Sequence, residues 1–229
     1  MSLEAMPLRL EAIVFDAYGT LFDVHSVMRR CESLYPGRHA QLSQLWRAKQ
    51  LAYTWLRSLM QRHAPFSTVT REALAYACEV LGLELTAERM EALMAEYNML
   101  SVFPDVPGIF ARMRGVKRAI LSNGSPDMLE PVVRASGLGE FIRATLSVDA
   151  LGIYKPRREV YQLASAKLGV HKEAIGFVSS NCWDACGAKS FGFTTFWINR
   201  TGAPVDALDA DPDHVIGSLA DLPALVGTD

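Results

Sequence analysis

Short apolar runs bounded by turn residues alternate with longer stretches whose apolar residues return every three or four positions. The first run, Ala12-Ile13-Val14-Phe15, is too short for a typical helix and rich in strand formers. It predicts a strand buried on both faces. The run ends in Asp16, and the chain then turns through Ala17, Tyr18 and Gly19. From about Val24 to Tyr97 the pattern contains no convincing strand. LSQLWRAKQLAYTWLRSLMQRH reads as one long amphipathic helix, with Leu45, Lys49, Ala52 and Leu56 on one row and Leu42, Trp46, Tyr53 and Leu59 near it. Two further helices are predicted over 70–81, stopped by Gly82, and over 87–100, started by Thr86 as N-cap.

Strand and helix then alternate. Pro104 and Pro107 open a helix to about Arg114, and KRAILS over 117–122 is a strand ending in Ser122-Asn123-Gly124. A helix starts at Pro126 and closes at Gly137, and a strand covers 144–148. A helix over 157–168 ends at Gly169; the strand IGFVS over 175–179 leads into a helix reaching about Phe191. Strands over 194–198 and at Val215-Ile216 complete the pattern. Repeated βα units predict an α/β fold: a Rossmann-like parallel sheet with helices on both faces and right-handed crossovers. The helical stretch is then a cap subdomain inserted after the first strand. The expected core covers 1–22 and 99–229, and the cap 23–98.

Composition narrows the function classes. Of 229 residues 50% are hydrophobic, ample for a core, and the formal net charge of -2 gives no basic face for nucleic acid. The first residues carry Glu4, Arg9 and Glu11 and lack the apolar run of a secretory signal. No apolar stretch approaches the roughly 20 residues of a membrane span. The cysteines, Cys31, Cys78, Cys182 and Cys186, are too sparse for a disulfide framework. Cys182 and Cys186 suit one helix face, but no His or second Cys pair nearby completes a four-ligand metal set. A cytoplasmic protein is expected, with no cofactor and no metal.

Three predicted strands end in polar residues: Asp16 and Thr20, Ser122 and Asn123, and Ser179, Asn181 and Asp184. Lys155 sits in the loop after a fourth. In a parallel sheet all these ends share the rim where ligands bind. Singly, each residue has an ordinary use as a cap, turn former or surface charge. Together, a lysine among carboxylates on one rim is a site constellation, and a strand-end Asp can act as a nucleophile.

In order, Asp16 in FDAYGTL, Ser122 in ILSNG, Lys155 in YKP and Asp184 in FVSSNCWDACGAKSFGF resemble the motifs of the haloacid dehalogenase superfamily. The runs QLAYTWLRSLM and SSNCWDACGA resemble its L-2-haloacid dehalogenase branch, and the likeness covers nearly the whole chain after the first ten residues. Phosphatases of the superfamily place a second Asp two positions after the nucleophile to protonate the leaving alcohol, and use Mg²⁺; here that position is Tyr18. A halide leaves as a stable anion and needs no such acid.

The resemblance implies that Asp16 attacks C2 of a short L-2-haloalkanoic acid and expels halide. Water then cleaves the aspartyl ester to give a D-2-hydroxyacid. It implies that Lys155 pairs with Asp16, that Thr20 fixes the nucleophile, and that Asp184, with Asn181 and Ser179, orients the water. Ser122 and backbone amides hold the carboxylate, Arg47 and Asn123 match a halide-binding pair, and Tyr161 packs at the site. Tyr18, Leu51, Phe66 and Trp183 match an apolar wall. The expected partners are the haloacid, water and a second copy of the chain as homodimer. Two other readings compete: a phosphatase or phosphomutase of the same superfamily, which Tyr18 opposes, and a scaffold that has lost the activity, opposed by the presence of Asp16, Lys155 and Asp184. The five histidines fall outside every motif and receive no role.

Overall fold

The computed structural model describes residues 8–113 and 115–226. Six strands form one parallel sheet: β1 (Ala12–Phe15), β2 (Lys117–Ser122), β3 (Ala144–Ser147), β4 (Ile175–Ser179), β5 (Thr194–Ile198) and β6 (His214–Ile216). Their order is β3-β2-β1-β4-β5-β6. Every residue of β1 and β4 is buried, which explains their unbroken apolar runs: both faces are covered by helices. β1 pairs with β2 on one side and β4 on the other, with Phe15 opposite Ile120 and Val178. Between β1 and β4 the strand order reverses direction, so a crevice opens beyond their carboxyl ends. Asp16 stands at that point, its backbone N–H donating to Val178 O at 2.9 Å.

Between β1 and β2 run α1 (His25–Leu34), α2 (His39–Leu59), α3 (Phe66–Leu81), α4 (Ala87–Glu96) and α5 (Val106–Arg112). The expected end of α5 at Arg114 lies outside the described residues. The chain leaves and re-enters the sheet side by side: Phe103 N–H donates to Leu21 O at 2.9 Å and Asp23 N–H to Ser101 O at 2.8 Å. Later come α6 (Pro126–Ala135), α7 (Arg158–Leu168), α8 (Cys182–Phe191) and α9 (Leu222–Val226).

The periodicity misses α1, whose short amphipathic run follows the first turn too closely to stand out. α3 begins four residues earlier than predicted, with Pro65 setting its start, and α4 ends at Glu96. Thr86 caps α4 as predicted, accepting from Arg89 N–H at 3.3 Å. The predicted inner row of α2 is wrong. The buried residues of α2 are Leu42, Trp46, Gln50 and Thr54, while Leu45, Lys49 and Ala52 are half-buried and Leu56 is exposed. The two polar side chains among them are both satisfied: Thr54 Oγ1 donates to Leu51 O of its own helix at 2.7 Å, and α3 supplies partners for Gln50 and for the Trp46 indole. Gln50 Nε2 donates to Thr70 Oγ1 at 2.7 Å, and Trp46 Nε1 donates to Thr70 O at 2.8 Å.

Candidate active site

Asp16 is 7% exposed, and three side chains hold its carboxylate. Thr20 Oγ1 and Asn181 Nδ2 each donate to Oδ2 at 3.1 Å, and Lys155 Nζ donates to Oδ1 at 3.1 Å. The Gly19 turn, with φ of 83°, brings Thr20 back onto the carboxylate four residues behind it. Thr20 Oγ1 in turn accepts from Ser180 N–H at 2.9 Å, so the loop after β4 fixes the rotamer of a residue that follows β1.

Lys155 Nζ lies between two carboxylates, with Asp184 Oδ2 at 2.8 Å on its far side. Tyr161 OH, from α7, donates to Asp184 Oδ1 at 2.8 Å. Lys155 is 1% exposed and Asp184 0%. Burial works against the lysine's charge, but Asp16 and Asp184 outweigh it and leave the ammonium above its ordinary value. Burial pushes the Asp184 carboxyl up to about 6, Lys155 opposing and Asp16 adding to the rise. The Tyr161 phenol is raised well above its ordinary value, by burial first and then by Asp184.

The other polar rim residues close around this centre. Ser122 Oγ accepts from Gly124 N–H at 3.0 Å, and Ser179 Oγ accepts from Asn181 N–H at 3.1 Å. Asn123 Oδ1 accepts the backbone N–H of Lys155 at 3.0 Å, anchoring the lysine's loop. Arg47, half-buried on α2, reaches the same rim from the opposite side. Its Nη2 donates to Asn181 Oδ1 at 3.4 Å and its Nη1 to Gln50 Oε1 at 2.7 Å. Tyr18, Trp46, Arg47, Tyr97 and Asn181 line the inner part of a cleft of about 400 Å³.

The sheet therefore brings together Asp16, Thr20, Lys155, Tyr161, Asn181 and Asp184 as one bonded network, with Ser122, Asn123 and Ser179 at its edge. Arg47 and Asn123 share no hydrogen bond among the described residues. Phe66 stacks on Tyr18 at 6.3 Å between ring centroids. Trp183 is half-buried and packs edge-on against Trp55 of α2 at 5.4 Å, and Leu51 lies half-buried one turn beyond Arg47. Sequence reasoning misses Gln50 and Ser180. A glutamine on a helix carries no sign that it is buried, and Ser180 meets Thr20 through both its backbone N–H and its Oγ, which a lone serine in a loop does not announce.

An aspartate at the switch point of a parallel sheet, bridged by a buried lysine to a second aspartate, defines a hydrolase of the haloacid dehalogenase type. The family model for haloacid dehalogenase-like hydrolases matches residues 10–192, and the chain belongs to this family. It is 49% identical over 212 residues to an (S)-2-haloacid dehalogenase of Pseudomonas sp. (strain YL), covering 92% of this chain and 91% of that one. It is similar to the solved L-2-haloacid dehalogenase RSc1362, with a TM-score of 0.93, 47% identity and coverage of 95% and 99%. The L-2-haloacid dehalogenase of Xanthobacter autotrophicus, solved with chloropropionic acid covalently bound, matches with a TM-score of 0.88, 43% identity and coverage of 95% and 98%.

Proposed function

We propose that this enzyme hydrolyses short L-2-haloalkanoic acids to D-2-hydroxyalkanoic acids and halide through an aspartyl ester. The carrying observation is the Asp16 carboxylate, held by Thr20, Asn181 and Lys155 at the open end of β1. Oδ2 accepts two hydrogen bonds and Oδ1 only that of Lys155, so Oδ1 keeps a lone pair for attack. It displaces halide from C2 from behind; the carbon–halogen pair leaves with the halide and C2 inverts. Water then adds to the Asp16 carboxyl carbon, and the ester bond breaks with its oxygen retained on the product. Asp184, whose carboxyl is raised to about 6 and which is ionised above that, activates the water with Asn181 and Ser179.

Ser122 and the backbone amides that follow Asp16 receive the substrate carboxylate. Arg47 and the free Nδ2 donors of Asn123 receive the departing halide. Tyr18, Leu51, Phe66 and Trp183 enclose the carbon skeleton. The helices α1 to α4, residues 23–98 of the expected division, act as a cap that sheds water from the site. Lys155 supplies the positive charge beside the nucleophile, so no metal or cofactor is assigned a step.

A homodimer is supported by an apolar surface at the end of α2, where Leu56, Leu59 and the following Met60 are 50%, 75% and 60% exposed. A cytoplasmic location is supported by four free, buried cysteines. No helix among the described residues is long and apolar enough to cross a membrane.

Two measurements test the reading. L-2-chloropropionate should release chloride and yield D-lactate with EDTA present, while the D-substrate stays inert. Loss of activity in EDTA with rescue by Mg²⁺ and turnover of phosphate esters would instead favour the phosphatase reading. In a single turnover in heavy-oxygen water with enzyme in excess, the label should enter Asp16 and leave the product hydroxyl light. Label in the first product would mean that water attacks C2 directly.

A further inference from the structure

Arg200 lies in the loop after β5 and belongs to none of the strand-end motifs. Half-buried, it reaches across to the turn that carries Thr20. Nη1 donates to Gly19 O at 3.1 Å and Nη2 to Thr20 O at 3.2 Å. These two carbonyls belong to the peptide groups on either side of the Thr20 Cα. Each peptide group is planar, so holding both carbonyls fixes both planes and, with them, the direction of the bond from Cα to Cβ. Thr20 Oγ1 is carried on that Cβ and donates to Asp16 Oδ2 at 3.1 Å. One residue therefore separates Arg200 from the nucleophile.

The guanidinium is itself braced. Its carbon sits 3.9 Å from the centroid of the Phe103 ring. Phe103 stands where the chain re-enters the sheet, its N–H donating to Leu21 O at 2.9 Å. On another side, Asp105 Oδ2 lies 3.9 Å from Nη2 and is held by Ser218 Oγ at 2.8 Å and Leu219 N–H at 2.9 Å. Three segments far apart in the sequence thus meet on one side chain: the turn after Asp16, the returning chain and the loop after β5. The turn runs through Gly19 at a φ of 83°, and glycine gives a backbone little stiffness of its own. A brace from outside supplies it.

We infer that Arg200 is a positioning residue for the displacement step: it holds the Thr20 turn and, through Thr20, keeps the Asp16 carboxylate aimed at C2. The inference rests on the dehalogenase reading above and adds a residue to it. Arginine suits the task because its planar fork offers two donors side by side to two successive carbonyls. A lysine ammonium is a point charge and lacks that fork. The contribution is one of geometry, since displacement demands that the attacking oxygen and C2 be held in line.

The test is single-turnover chloride release from L-2-chloropropionate with enzyme in excess. Its rate constant, unlike its amplitude, does not depend on how much of the protein is folded. Arg200→Met should lower that constant about tenfold, within what a small misplacement of a reacting group costs. The inhibition constant of propionate, which cannot react, should stay within about twofold of wild type, as for a change that spares ground-state binding. Arg200→Lys should lose about threefold, because the charge returns without the fork. In a Thr20→Val background, where the oxygen that carries the effect is gone, either substitution should cost less than about twofold more. A wild-type rate constant in Arg200→Met or in Arg200→Lys overturns the inference. An undiminished loss in the Thr20→Val background also overturns it, since Arg200 would then act by another route. A propionate constant that rises as far as the rate falls overturns it too, because the arginine would then serve substrate binding. Should Arg200→Met fail to fold, Arg200→Lys, alone and with Thr20→Val, decides on the same terms. Wild-type enzyme that releases no chloride overturns both this inference and the reading beneath it, whereas an active wild type indifferent to Arg200 overturns this inference alone.

Discussion

Lys155 and Arg47 both bring positive charge to the rim of the sheet, from different elements and under different constraints. Lys155 comes from a loop of the sheet core, is 1% exposed and touches two carboxylates within 3.1 Å. Its loop is pinned by Asn123 and its far carboxylate by Tyr161. Arg47 comes from α2, is half-buried, and is tied to the core by one long 3.4 Å contact with Asn181. Its firm partner is Gln50, on its own helix. A cation sealed between carboxylates is part of the fold and cannot move without exposing buried charge. Arg47, half-buried at the edge of the cleft, is held among the described residues by neutral partners only and carries no such constraint. The sheet loops hold the Asp16 carboxylate, and α2 brings Arg47 to the same rim from the other side.

The largest effect is expected where the fold and the chemistry coincide. Lys155→Met leaves Asp16 and Asp184 buried without their shared counter-ion. It should cost about 3–5 kcal/mol of stability and abolish halide release. Denaturant unfolding and a chloride electrode measure the two. A Lys155→Met protein as stable as wild type would mean that the buried lysine is not what holds the two carboxylates.

Arg47→Ala should break the comparison in the other direction. Stability should change by no more than about 1 kcal/mol, as for a residue at a solvent edge. Chloride release should fall about 100-fold, the loss typical of one donor that stabilises developing negative charge. Arg47→Lys should recover only part, because the forked contact with Gln50 and Asn181 is lost. A large fall in melting temperature with Arg47→Ala would make the arginine a structural residue and erase the contrast with Lys155.

These two sites also differ in how far they can be read from the chain. Strand ends are local: a run such as AIVFD or IGFVS predicts both a buried strand and the polar residue at its rim. Asp16, Ser122 and Ser179 stand at such ends, whereas Asp184 lies in the first turn of α8, one loop beyond β4. The surroundings of Arg47 were not legible in this way. Gln50 is buried because Thr70, twenty positions on, offers it a partner, and nothing in the period of α2 shows that. The inner row of that helix was misassigned on the same ground, since a pattern of apolar residues cannot see a polar core. Tyr18 is the intermediate case. Its identity as tyrosine two residues after Asp16 argues against a phosphatase acid there, whereas its buried hydroxyl without a hydrogen-bond partner among the described residues shows only in the folded chain.

The smallest effect concerns protons and probes Asp184 through Tyr161. Burial holds the Asp184 carboxyl at about 6 against an ordinary 3.8, so between those values the folded protein keeps a proton that the unfolded chain has lost. By linkage, this group's contribution to stability falls as pH rises through that window, while an ionised Asp184 becomes available to activate water. Activity should therefore fall about tenfold per pH unit below about 6 and level off above it. The Tyr161 hydroxyl donates to the ionised carboxylate and so lowers its proton affinity. Tyr161→Phe removes that donor, and the acid limb should move to higher pH by roughly one pH unit, with the plateau rate at high pH changed least. The sign discriminates between two roles. If Tyr161 were a general acid, its removal would lower the plateau and leave the acid limb in place. Rate profiles of the two proteins from pH 4.5 to 9 decide it: an unmoved limb with a depressed plateau would make Tyr161 the acid and overturn its role as the donor that tunes Asp184.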